Sequence, residues 1–207
     1  MHLPGALPPK HSQITKSKEN ITRGNVYETQ ASKKSREGGD IENCNFKLVS
    51  QNVKGLKTNK VKRETIFNYL KENGDIALLQ ETHSTPETEE LWKNECGCES
   101  FFSHGTNNSR GVMIFFSNTL EIEVTEKITD TEGRFLLLKC IIQGTKILLY
   151  NVYAPNNEKD HVSFLLFLKE KLEFLDTTEY EYMIGAGDWN FTFEKIDQSG
   201  GNYNYEK

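Results

Sequence analysis

The sequence predicts a mixed α/β sandwich, and three observations carry that expectation. Strand-length apolar runs alternate with helical patterns in the first part of the chain. Further apolar runs then follow with only short turns between them, and four of the runs end in amide or acid side chains. FKLVSQNV (46–53) is a short apolar-rich strand that ends in polar groups. KVKRETIFNYLKEN (60–73) sets Val61, Ile66, Phe67 and Leu70 near helical spacing, with Gly74 as the stop. DIALLQET (75–82) is almost continuously apolar, which predicts a strand covered on both faces. At Thr85-Pro86-Glu87 a helix begins: Thr85 caps it, Pro86 takes the first helical position, and acids follow. GVMIFFS (111–117), LEIEVTEKIT (120–129), RFLLLKCII (134–142) and KILLYNVYAP (146–155) are strands parted by turns at Gly133 and Gln143-Gly144-Thr145, predicting an antiparallel meander. Residues 158–175 predict a helix with Val162, Leu165, Leu168, Leu172 and Leu175 along one side. YEYMIGAGDWNF (180–191) returns as a strand, and no internal repeat is present.

Ahead of these elements the composition differs. Residues 1–45 hold Pro, Ser, Lys, Glu, Asn and Gly with almost no apolar periodicity, so they predict a disordered leader before a domain over 46–207. The leader's basic clusters, Lys16 with Lys18 and Lys33-Lys34 with Arg36, fit a solvated tail better than a phosphate-binding arm. A mean hydropathy of −0.63 agrees with part of the chain staying out of the core. No apolar run approaches the roughly 20 residues that span a bilayer. The N-terminal MHLPGALPPKHSQ lacks the basic start and apolar centre of a secretory signal. Cys44, Cys96, Cys98 and Cys140 are too scattered for a disulfide framework, and no second Cys or His pair completes a zinc site with Cys96 and Cys98. Reduced thiols and an intracellular setting are expected. The net charge of −5 argues against a sequence-independent nucleic-acid coat, but leaves room for an enzyme with a local basic track.

The chemistry sits in the polar strand ends. FKLVSQN delivers Asn52, IALLQE delivers Glu81, ILLYNVY delivers Asn151 and Tyr153, and YMIGAGDWN delivers Asp188 and Asn190. Singly, each has a plain structural reading: a turn-forming Asn, a solvated Glu, a core Tyr with its hydroxyl at the edge, an Asx turn at Asp188-Trp189-Asn190. Together, on strands that lie side by side, they suit metal-assisted phosphodiester hydrolysis. Mg²⁺ takes carboxylate oxygens and keeps several waters, so Glu81 with a nearby amide suffices to anchor it. Asp188 would orient or deprotonate the attacking water. Asn52, Asn190 and the Tyr153 hydroxyl would position it or donate to phosphate oxygens. Gly185 and Gly187 would let the backbone pass closely under the site.

SQNVKGL, LLQETH, FFSHGTNNSRGVMIFFS, NVYAPNN and GAGDWN occur in the order seen in the endonuclease/exonuclease/phosphatase superfamily. The QETH, SHGT-NSRGV and NVYAPN wording most resembles the endonuclease domain of LINE-type (non-LTR) retrotransposons. The likeness covers residues 46–201. It implies a four-layered α/β sandwich of two mixed, largely antiparallel sheets flanked by helices. It further implies Mg²⁺ or Mn²⁺, DNA as substrate, a nick that primes reverse transcription, a reverse transcriptase domain in a full-length element, and a nuclear location. By this resemblance Asn52 and Glu81 fall on metal-site positions and Tyr153 on the phosphate-contacting tyrosine. Asp188 and Asn190 fall on the pair that handles the water and the scissile phosphate. Asn151 and Arg110 are possible substrate contacts, Arg110 being structural or DNA-facing, while His83 and His104 are expected to be structural. The sequence departs from the family at Lys54, where repair members often carry Asp, and in GAGDWN, where Gly-Gly-Asp-Phe-Asn is commoner. Family members also carry a downstream Asp and a Ser-Asp-His motif. The sequence ends at Lys207 ahead of both, and none of its histidines lies beyond His161. The expectation is therefore of a domain short of its C-terminal strands, with weak or no activity by itself. The alternatives are a catalytically inactive retroelement relic, or a phosphatase of the same superfamily acting on a small phosphorylated substrate.

Overall fold

A computed structural model describes residues 14–17, 25–32 and 43–191, with side chains from residue 45 onward. The chain divides into two compact units: Met1–Tyr153 with Asp176–Asp188, and Ala154–Leu175 with the residues from Trp189 on.

The larger unit holds two sheets. The first contains β1 (Ile14–Ser17), β2 (Asn25–Ser32), β3 (Asn43–Asn52), β4 (Ile76–Gln80), β5 (Ser100–Ser103) and β6 (Val112–Phe116), in the spatial order β1-β2-β3-β4-β6-β5. The second contains β7 (Ile122–Thr129), β8 (Phe135–Ile142), β9 (Thr145–Tyr153) and β10 (Tyr182–Asp188), in the order β10-β9-β8-β7. Two helices, α1 (Lys60–Asn73) and α2 (Pro86–Cys96), belong to the same unit. This is the α/β sandwich of two mixed sheets with helices that the sequence predicts.

Alternation along β4 shows how the layers form. Ile76 and Leu78 point into the core between the sheets, where Phe46, Leu48, Ile114, Leu136, Leu138, Ile147 and Leu149 meet them. Ala77 and Leu79 point the other way, onto Phe67 and Leu70 of α1 and Trp92 of α2. All five β4 residues are buried, as a strand covered on both faces requires. Phe67 meets Trp92 and Phe115 edge-on, at centroid distances of 6.5 and 5.9 Å. Asn59 caps α1 by accepting from the Lys62 amide at 2.9 Å. Thr85 and Thr88 form a reciprocal capping box at the start of α2, with Pro86 in its first turn.

Several expectations need correction. The run at 111–117 does not open the meander. As β6 it pairs antiparallel with β4 and β5 in the first sheet, and only β7, β8 and β9 form the meander. β5 itself, SFFS, is a strand that periodicity did not reveal, being only four residues long. Val61 is 73% exposed, and the interior side of α1 carries Arg63 in addition to Phe67 and Leu70. No strand was expected in 1–45, yet β1 pairs with β2, and β2 pairs with β3 along its whole length. Val26, Tyr27 and Thr29 are residue types that favour a strand, and the edge of β3 offers the ladder. The leader's basic residues Lys33, Lys34 and Arg36, and the C-terminal stretch 192–207, lie outside the described residues.

In the smaller unit a turn of 3₁₀ helix (Glu158–Asp160) leads into α3 (His161–Glu173). Its buried residues are Phe164 and Leu168, whereas Val162, Leu165 and Leu166 are exposed, so the expected stripe is rotated around the helix. The segment VSFLLFL is apolar nearly all round, and periodicity alone could not choose the inward side. Among the described residues no helix is long and apolar enough to cross a membrane.

Candidate active site

Two parallel strand pairs build the site. β3 runs parallel to β4 with Asn52 opposite Gln80, so Glu81 is the first residue past the strand end. In the second sheet β10 runs parallel to β9 with Asp188 opposite Tyr153. Each pair therefore delivers its last side chains at its carboxyl ends, and hydrogen bonds between these end residues tie one pair to the other. Asn52 Nδ2 donates to Asp188 Oδ2 at 2.7 Å, and the Tyr153 hydroxyl donates to Glu81 Oε1. Four strand ends, distant in sequence, meet at one corner of the larger unit.

The backbone turns sharply there. Lys54, Glu81, His83 and Arg110 all have positive φ, between 47° and 63°. Non-glycine residues occupy that region at a cost, and such residues concentrate at functional sites. Consecutive main-chain hydrogen bonds hold the turns in place: Val53 to Gln80, Gly55 to Glu81 and Leu56 to Thr82, at 2.9, 2.7 and 3.0 Å. Asn52 Oδ1 accepts from the Lys54 amide at 3.0 Å, and Lys62 Nζ donates to the Lys54 and Gly55 carbonyls, both at 3.0 Å. The Asn52 side chain is thus fixed from both ends.

The remaining candidates are placed differently. Asn151, a possible substrate contact by the resemblance, is fully buried between the sheets. Its Nδ2 donates to the Leu79 and Met113 carbonyls at 2.9 and 3.0 Å, and its Oδ1 accepts from Gln80 at 2.7 Å. It is a strut across the sandwich beneath the corner. Asn151→Ala is expected to cost about 1–3 kcal/mol for each carbonyl left without a donor. Urea unfolding checks this, and an unchanged midpoint would refute it. Arg110 donates to Glu132 Oε2 at 2.6 Å. Asn190 belongs to the smaller unit, has a φ of 52°, and donates to the Ala154 carbonyl at 2.8 Å. The two glycines of GAGD do not open space beneath Asp188. By strand alternation Gly185 and Gly187 lie on the opposite face of β10, where a Cβ would collide with the Tyr150 ring and with Val152.

Both histidines have packing roles. The His83 ring lies against Gly55, where an added Cβ would come within 2.7 Å of Nδ1. Burial lowers its pKa, the charge of Lys62 adds to that, and Glu81 opposes it. His104 stacks on Phe102 and bridges Ser84 Oγ at 3.2 Å and Glu89 Oε2 at 2.9 Å. Ser, His and Glu are the residue types of a nucleophilic triad, but Ser84 is fully buried and cannot reach a substrate. Cys96 is equally shielded: burial pushes its thiol up to about 12, with Cys98 beside it adding to the shift, so little of it is the reactive thiolate.

Sequence reasoning missed Arg134. It lies one residue before β8, immediately after the Thr131-Glu132-Gly133 turn, and its guanidinium sits 5.4 Å from the Tyr153 ring centroid while donating to the Tyr153 carbonyl at 3.1 Å. An Arg following a turn before a strand has no special pattern, so nothing in the sequence marked it.

The oxygen donors at the corner suit a hard cation. Glu81 and Asp188 supply carboxylates and Asn52 an amide oxygen, without the thiolate or imidazole set that zinc selects. No group of three His, Cys, Asp or Glu residues able to hold a metal occurs among the described residues. Mg²⁺ does not require one, since it binds through one or two carboxylates and keeps its waters.

No family model matches the chain. Over 153 residues, 73% of this chain, it is 33% identical to the transposon TX1 uncharacterized 149 kDa protein of Xenopus laevis, and it spans 12% of that protein's length. Among solved structures it resembles a humanized TDP2 of D. rerio, with a TM-score of 0.54, 20% identity, and coverage of 76% of this chain and 71% of that one. It also resembles an AP endonuclease of Archaeoglobus fulgidus, with a TM-score of 0.53, 23% identity, and coverage of 74% and 60%. An endonuclease/exonuclease/phosphatase family protein of Bacteroides thetaiotaomicron matches with a TM-score of 0.52, 15% identity, and coverage of 69% and 62%. At these identities the solved structures share the fold, and the transposon protein supplies the relationship in sequence.

Proposed function

We propose that this chain, which has the endonuclease/exonuclease/phosphatase fold and a transposon-encoded relative, hydrolyses phosphodiester bonds in DNA with a divalent metal at the corner between its two sheets. The observation that carries the proposal is the pair of cross-sheet hydrogen bonds, Asn52 to Asp188 and Tyr153 to Glu81. They gather two carboxylates, an amide and a phenol at one solvent-reaching point of a fold shared with an AP endonuclease. A D. rerio TDP2 in complex with a single-strand DNA product has the same fold, with a TM-score of 0.52 at 19% identity, covering 70% of this chain and 60% of that one, which favours DNA over a small phosphorylated molecule.

Glu81 is the carboxylate that would hold Mg²⁺ or Mn²⁺, with the Asn52 amide oxygen beside it. The metal, when bound, supplies charge stabilisation at the phosphoryl oxygen and the leaving group. Tyr153 orients Glu81 through its hydroxyl, and the single proton of that hydroxyl would turn to a phosphate oxygen once Glu81 holds the metal. Asp188 receives the proton of the attacking water, or aligns that water, and Asn52 holds the Asp188 carboxylate in place. In a transposon setting the reaction would nick nuclear DNA and leave an end for a reverse transcriptase of the same element.

The test is nicking of supercoiled plasmid by the purified chain. Weak nicking is expected with Mg²⁺ or Mn²⁺, and loss of it with a chelator or in Glu81→Gln. Nicking that survives both treatments, or an inert parent chain, would overturn the proposal.

A further inference from the structure

We infer that Arg110 and Arg134, bridged by Glu132, form a second phosphate subsite, one that takes a phosphodiester of the DNA strand beside the scissile group. The inference rests on the phosphodiesterase reading of the neighbouring corner.

Charge is the first support. Arg110 Nη1 and Arg134 Nε both face Glu132 Oε2, at 2.6 and 3.5 Å, so two cations share one carboxylate and these three side chains together carry one positive charge. Glu132 is 60% exposed, and exposed ion pairs are worth about 0–1 kcal/mol. An incoming phosphodiester, with oxygens that match the guanidinium fork, can therefore replace the carboxylate at little cost. Glu132 occupies the subsite until the strand arrives.

Preorganisation is the second support. Asp130 accepts from the Arg134 amide at 3.0 and 3.1 Å and from the Phe135 amide at 3.1 Å, fixing the turn that carries Glu132. The Gly111 amide donates to the Gly133 carbonyl at 2.9 Å, joining that turn to the segment bearing Arg110, whose own φ is 63°. Such a left-handed non-glycine residue persists only where its surroundings dictate it. The third support is location. Arg134 stacks on Tyr153, and the Tyr153 hydroxyl meets Glu81, so the subsite adjoins the carboxylates directly.

The carboxylate and the guanidiniums must then act in opposite directions, and binding without metal reads this out. The probe is a short fluorescein-labelled single-stranded oligodeoxynucleotide, followed by anisotropy with the full chain in EDTA across a salt series. Glu132→Gln is expected to tighten binding by up to about fivefold, the value of one exposed pair. Arg110→Gln and Arg134→Gln are each expected to weaken it and to flatten the logarithmic salt slope by about 0.7, one phosphate contact on a single strand. Glu123→Gln, an exposed acid on β7, removes the same charge away from the subsite and controls for a general field effect. Thermal melts establish that each variant is folded. An unchanged or weaker affinity in Glu132→Gln, or an equal gain in Glu123→Gln, would overturn the inference. So would inorganic phosphate that competes as well as the oligonucleotide, since the subsite would then recognise a lone phosphate group and not a strand. If these shifts appear while the parent chain does not nick, the subsite stands and the catalytic reading falls.

Discussion

Asp188→Ala is expected to lower metal-dependent nicking by about 10²–10⁴-fold, the usual contribution of a positioned acid or base. The fold should survive the change. Asp188 ends β10, is only half buried, and lies opposite Tyr153 in a ladder built by backbone groups. What the substitution removes is the acceptor of the 2.7 Å bond from Asn52 Nδ2. Asp188→Asn separates the two possible roles. Its amide oxygen can still accept from Asn52, so the geometry is kept while the charge is lost. An equally inactive Asn variant assigns the role to the charge, and an active one assigns it to placement. Asn52→Ala combined with Asp188→Ala should lose far less than the sum of the single losses, because residues acting as a unit are non-additive. Rates in single-turnover nicking, with thermal melts alongside, decide each point. Full activity in Asp188→Ala would remove this residue from the mechanism.

The sequence made the corner readable because each strand declared its own end. FKLVSQN, IALLQE and YMIGAGD each pass from apolar to polar where the strand stops, and parallel pairing brings those stops together. The bounds of α1 and the start of α2 were also legible, since Gly74 and Thr85-Pro86 act through local backbone chemistry. Long-range placement was not legible. Asn151 stands two residues before Tyr153 and shares its inward face, yet it sits one layer deeper, where only the opposite sheet's carbonyls show its role. β6 reads like a member of the meander, but its partners β4 and β5 precede it in the chain. The α3 stripe failed for another reason: an apolar residue at nearly every position leaves no period to read. Arg134 gains its meaning only from the Tyr153 ring and from Glu132, both contacts of the folded chain.

The largest stability effect is expected at Arg63, a charged residue inside the helix layer. Its side chain is only 4% exposed, and it forms a two-pronged pair with Glu95, Nε to Oε2 at 2.5 Å and Nη2 to Oε1 at 2.8 Å. Nη1 donates to the Leu56 carbonyl at 2.9 Å, and the guanidinium lies 5.5 Å from the centre of the Trp92 ring. Glu95→Leu leaves the buried Arg63 guanidinium without its carboxylate and should cost about 3–5 kcal/mol, whereas Arg63→Met leaves a Glu95 that reaches solvent and should cost less. The double variant should recover most of that loss, because an apolar pair avoids desolvating two charges. Acid gives an independent check. Hydrogen bonding from Arg63 holds the Glu95 carboxyl below its usual range, against the opposing effect of burial. A group depressed in the folded state contributes stability above its unfolded pKa, about 4.3 for Glu, and that contribution is lost as pH falls through the lower folded value. Urea midpoints of the parent chain should therefore fall more steeply below about pH 4.3 than those of the double variant. Parallel acid curves would show that the pair contributes nothing to folding. The same pair also secures the path from the site, since the Leu56 carbonyl held by Arg63 lies on the loop that leaves Asn52. Arg63→Met should then release that loop and reduce nicking at temperatures where the variant remains folded.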